Sequence, residues 1–197
     1  MNAISKTLVA TITAAAPMAV MAHAGHESTS SFMAGVTHPV MGLDHLLAMI
    51  AAGFVAARFG MKGIATISAT FAFAMLAGFL MALSGLALPV VELGITGSVA
   101  VFGALIVVSR FLPNALSALI VAAFALFHGF AHGLEVPASA SAMSFAVGFM
   151  IAVFAVTAMA GLLREALEKS LSKRTNSRAE GISALAFVAA GAALTGM

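Results

Sequence analysis

The sequence predicts an all-α fold, a polytopic membrane helix bundle of six transmembrane helices following a cleavable signal peptide. Three observations carry this prediction. Of the 197 residues, 62% are hydrophobic and only 8% charged, far from the balance of a soluble domain. Several apolar runs approach the ~20 residues that a helix needs to cross a bilayer. Every Lys and Arg beyond the leader falls in alternate connections between those runs, the pattern of cytoplasmic loops.

In chain order, Met1–Ala24 reads as the signal peptide. Lys6 is its positive n-region, Leu8–Met21 its apolar core, and Ala22-His23-Ala24 a small-x-small cleavage site. Cleavage there leaves a mature N-terminus at Gly25 outside the cytoplasm and residues 25–197 as one transmembrane domain. Six spans are expected at about Thr37–Ala57, Gly63–Leu83, Val91–Ser109, Asn114–Leu134, Met143–Leu163 and Gly181–Thr195. Pro89, Pro113 and Pro137 fall between spans, where a helix breaker costs little. The connections after spans one, three and five hold Arg58 and Lys62, then Arg110, then Arg164, Lys169, Lys173, Arg174 and Arg178. The other connections hold none, which orients both termini outside. The hydrophilic stretch Arg164–Glu180 is expected to extend the fifth helix and then form a solvated connector, with Glu165 and Lys169 as an i,i+4 pair.

Composition also excludes. The net charge is only +2 and its basic residues are dispersed, so no nucleic-acid surface is expected. No P-loop is present, so this chain is not itself an ATPase. With no cysteine, a metal would have to be held by imidazole, carboxylate, thioether or backbone oxygen. No prosthetic group is expected.

Two polar islands interrupt the scaffold. The first runs from His38 to Met49 and holds His38, Asp44 and His45; the second, Phe127 to Glu135, holds His128, His132 and Glu135. Ionisable residues inside membrane spans are costly and mark function. On one continuous helix, positions seven apart differ by about 20° around the axis. His38 and His45 are therefore expected to share a face, with Gly42 between them. Asp44 would serve as a ligand or as an acceptor from an imidazole N–H. His128, His132 and Glu135, at i, i+4 and i+7, share a face as well. Gly129 and Gly133 beside those histidines would admit another backbone. Spans one and four run in opposite directions, so His38 and Glu135 lie near the outer surface, with His45 and His128 each roughly 10 Å deeper at 1.5 Å per residue. Nitrogen and oxygen donors without thiolate suit Ni²⁺, Co²⁺, Zn²⁺, Cu²⁺ or Mn²⁺. Met41 and Met49 are expected to pack, and Glu92 to extend the site or anchor at the interface.

The pair formed by His38 with Asp44-His45 and by Phe127-His128-Gly129-x-Ala131-His132-Gly133-x-Glu135 resembles the HupE/UreJ family of bacterial nickel permeases. The first half is also similar to the H-x₄-D-H motif of the separate nickel/cobalt transporter family, one residue longer here. The resemblance covers essentially the whole chain. It implies a multi-pass protein of the inner membrane with periplasmic termini, taking up Ni²⁺, or Co²⁺ in some members, for hydrogenase or urease maturation. Its implied metal residues are His38, Asp44, His45, His128, His132 and Glu135. On this reading the cation is captured near His38 and Glu135, with His26 and Glu27 of the tail assisting. It then passes to Asp44, His45, His128 and His132. Imidazole must be neutral to ligate, which makes binding sensitive to pH around its ordinary value of about 6.5. The competing class is an intramembrane zinc-dependent hydrolase with three histidines on the metal and Asp44 or Glu135 as general base. Against it, H-E-x-x-H is missing and neither island holds a serine. A b-type haem bound by histidines of two spans would leave the carboxylates without a role.

Overall fold

The computed structural model describes residues 31–136 and 140–195. The signal-peptide segment 1–24, His26, Glu27 and Pro137 lie outside them. The described residues form seven α-helices and two short 3-10 turns, with no strand among them. The helices are α1 (Ser31–Thr37), α2 (Leu43–Ala57), α3 (Gly60–Leu83), α4 (Val91–Val108), α5 (Asn114–Leu134), α6 (Ala142–Ser170) and α7 (Lys173–Thr195); the 3-10 turns are His38–Val40 and Ser109–Phe111.

Four of these, α3, α4 with its 3-10 tail, α5 and α6, are long and apolar enough to cross a membrane. The expected first span is not one helix. α1 with its 3-10 turn and α2 meet at an angle of 76°, and together they make a fifth, broken span or a re-entrant segment. Pro39 has no N–H to donate to the turn before it, and α1 gives way after Thr37 to the 3-10 turn His38–Val40. Gly42 then adopts an extended conformation as N-cap of α2. A continuous helix carrying His38 and His45 on one face is therefore corrected.

The expected sixth span lies in α7. That helix is not apolar over a membrane's full width, because its first two turns, Lys173 to Glu180, are polar. Its apolar part lies antiparallel on α4, where Gly103 faces Ala184–Val188 and Gly191 faces Ala100.

Glycines set the closest helix contacts. The backbone of Gly129 abuts that of Met75, and Gly133 abuts Phe79, so α3 and α5 pack closely and in parallel. On the other side, Gly35 and Gly148 seat α1 on the first turns of α6, and Gly53 and Gly161 seat α2 further along the same helix. α6 thus supports both halves of the broken segment. The core between these layers is aromatic, with Phe71, Phe79, Phe102, Phe145 and Phe149 fully buried.

The polar connector differs from expectation. α6 does continue to Ser170, and Lys169 pairs with Glu165 at 2.8 Å. Only Leu171 and Ser172 separate α6 from α7, and Glu180 reaches back to Arg58 at 3.7 Å. Arg164 is buried rather than solvated, 2.8 Å from Glu168, because its position on α6 turns it towards the bundle. Removing one member of a fully buried pair costs about 3–5 kcal/mol; Glu168 is partly exposed and can rehydrate, so Arg164→Ala is expected to cost on the order of 1–3 kcal/mol. A melting temperature unchanged in detergent would contradict this.

Candidate metal site

The break in the first segment builds the site. Between α1 and α2 the chain bends by 76°, and His38 before the bend and His45 after it line one cleft. α2 packs on α3, α4 and α6 and barely touches α5. Island side chains fill the gap between α2 and α5.

The cleft has a volume of about 420 Å³ and is lined by His38, Met41, Gly42, Asp44, His45, His132 and Glu135. Five of the six expected residues therefore meet at one opening. The sixth, His128, lies beneath them with no exposed surface. Four imidazoles form a series: His38 to His132 at 4.7 Å between ring centres, His132 to His45 at 4.2 Å, and His45 to His128 at 4.6 Å. The His38 side chain is 30% exposed, whereas those of His132 and His45 are 3% and 10% exposed. Each successive ring is thus within one ligand's reach of the next, from the cleft to the interior.

At the mouth, His38 Nε2 lies 2.9 Å from Glu135 Oε2, and His132 Nδ1 approaches the same oxygen at 3.4 Å, long for a hydrogen bond. One ligand atom from each of these three residues falls within 4.8 Å of the other two, a spacing that one cation can bridge. Glu135 sits just past the last residue of α5. Its contact with His132, and secondarily with His38, holds the carboxyl at about 2 against the opposing effect of partial burial. It is therefore an anion throughout the physiological range. The negative end of the α5 dipole adds to the attraction for a cation there.

Deeper in, Asp44 takes the second of its two expected roles. Its Oδ1 accepts from the His45 backbone N–H at 2.8 Å and lies 2.7 Å from His45 Nδ1. A carboxylate can only accept, so Nδ1 carries the proton and Nε2 keeps the lone pair. That Nε2 is buried without a partner, as are His132 Nε2 and His128 Nδ1. Buried polar atoms are nearly always paired, and three orphaned imidazole nitrogens in one cluster mark a place for a ligand. Gly42 does not lie between the histidines on a helical face; it lines the cleft in extended form. Met49 is core, Met41 borders the opening, and Glu92 is exposed on α4 away from the cleft.

One contact was not foreseen. Ser98 of α4, fully buried, places its Oγ 2.7 Å from His128 Nε2 and 2.6 Å from the Ile95 carbonyl. In the sequence its only signal is small-residue spacing with Gly94, which suggests packing. Gly94 does pack, against the Phe127 ring.

The family model described as HupE / UreJ protein matches residues 10–194. The Protein HupE of Rhizobium leguminosarum bv. viciae is 38% identical over 138 residues, covering 70% of this chain and 72% of that one. No solved structure matches.

Proposed function

The chain belongs to the HupE/UreJ family, and from that premise we propose that it is a permease for a divalent transition-metal cation, Ni²⁺ before Co²⁺, moving it across the bacterial inner membrane into the cytoplasm. The observation that carries this reading is the imidazole series from the open cleft to fully buried His128, with three orphaned ring nitrogens at its inner end. His38, His132 and Glu135 make the receiving site. His45, His128 and His132 make the inner one, and Asp44 orients His45. His132 belongs to both and hands the ion across. Two overlapping sites of unequal depth suit transport, which needs binding favourable enough to admit an ion and shared enough to release it. Nitrogen-rich donors of this kind suit nickel and cobalt better than calcium or magnesium. The distribution of Lys and Arg supports six crossings with periplasmic termini, an orientation that opens the cleft at Glu135 to the periplasm.

The test is accumulation of radioactive nickel, with cobalt and zinc as competitors, in cells expressing the wild type or His45→Ala. Uptake is expected to depend on His45 and to fall most when cobalt competes. Undiminished nickel uptake by His45→Ala would refute this reading.

A further inference from the structure

Ser98 is the one side chain from outside the two islands that hydrogen-bonds an imidazole among the described residues, and its bonding arithmetic is restrictive. The hydroxyl has a single proton, and the Ile95 carbonyl at 2.6 Å can only accept it. Both short contacts are hydrogen bonds only if Ser98 Oγ in turn accepts from His128 Nε2–H at 2.7 Å. His128 is then held as the Nε2–H tautomer, and its lone pair is forced onto Nδ1, the atom that is buried and unpartnered. We propose that Ser98 is a positioning residue: by accepting a hydrogen bond from Nε2–H it selects Nδ1 of His128 as the nitrogen that takes the ion at the inner end of the path.

The arrangement mirrors the one at His45. There a carboxylate on the same island accepts from Nδ1–H and leaves the lone pair on Nε2; here a hydroxyl on a separate helix accepts from Nε2–H and leaves the lone pair on Nδ1. A hydroxyl does this without adding charge next to a ring that has no exposed surface, where a second carboxylate would need compensation. Partners behind a ligand of this kind typically change metal affinity by about 10–100-fold.

The proposal rests on the imidazoles being the ion site, and its test separates the two claims. In ¹⁵N-histidine-labelled full-length protein in detergent, ring ¹⁵N spectra without metal report each tautomer, and the His128 signals are those lost in His128→Asn. The wild type is expected to show protonated Nε2 and bare Nδ1. Ser98→Ala should show His128 shifted towards, or exchanging with, the other tautomer, with Co²⁺ affinity down by about 10–100-fold. Ser98→Thr, which keeps the oxygen, should retain both. An unchanged His128 tautomer in Ser98→Ala, or an equal loss of affinity in Ser98→Ala and Ser98→Thr, would overturn the proposal. Wild-type protein that shows the expected tautomer but binds neither Co²⁺ nor Ni²⁺ would instead overturn the ion-site reading, and the proposal with it.

Discussion

Cells expressing His128→Ala are expected to accumulate no nickel above background while holding the protein in the membrane at near wild-type amount. His128 is the innermost of the four rings, so no other imidazole of the series can stand in for it. Its removal leaves the inner site with two of three nitrogens. The fold should survive. Alanine is the best helix former, and Ser98 keeps its bond to the Ile95 carbonyl, so no orphaned donor is created. The cost is a cavity of the kind worth about 2–5 kcal/mol in a tight core, offset in part because a buried, unpartnered nitrogen also disappears. His38→Ala should behave differently. That ring is part-exposed and shares its task with Glu135 and His132, so nickel should be needed at higher concentration while the maximal rate changes little. Concentration series for both variants, normalised to membrane-inserted protein, check the contrast. Wild-type uptake by His128→Ala would remove the ring from the path.

Gly129→Leu is expected to destroy the folded protein. A Cβ at Gly129 would enter the Met75 carbonyl and Cα, which are backbone atoms and cannot swing aside. α3 and α5 would have to separate along their closest contact, carrying His128 and His132 away from His45. Ordinary overpacking costs about 1–3 kcal/mol because side chains can yield; here none is available to yield, so the loss should exceed that range. Gly97→Ala is the control, since a Cβ there meets nothing within 4 Å. It should be neutral. Size-exclusion profiles of the solubilised proteins measure both, and a sharp, wild-type-like Gly129→Leu peak would refute the argument.

Helices α3 to α6 were readable in the sequence because each is a long apolar run ended by proline, glycine or charge, whereas α7 begins with two polar turns that no apolar run announces. Gly129 and Gly133 were readable as places where a backbone approaches, and α3 is that backbone. The break at Met41 and Gly42 was not. Helical periodicity already put His38 and His45 on one side, so nothing in their spacing demanded a bend. The clue lay in Pro39 followed three residues later by Gly42. Ser98 was hidden for another reason. A serine four residues from a glycine has the same spacing whether it packs or bonds, and its partner His128 is thirty positions away on another helix. The burial of Arg164 is hidden in the sequence because its neighbours from Glu165 to Glu180 are mostly polar, whereas burial is decided one helical face at a time.

The parallel pairing of α3 with α5 has a consequence for biosynthesis. Two membrane helices that point the same way cannot form a hairpin; a third must be made between them. α3 therefore leaves the ribosome and enters the lipid with its Met75–Phe79 face uncovered until α4 and then α5 have followed. That face stays without its partner until α5 is made, and the series of four imidazoles is complete only when His132 has been synthesised.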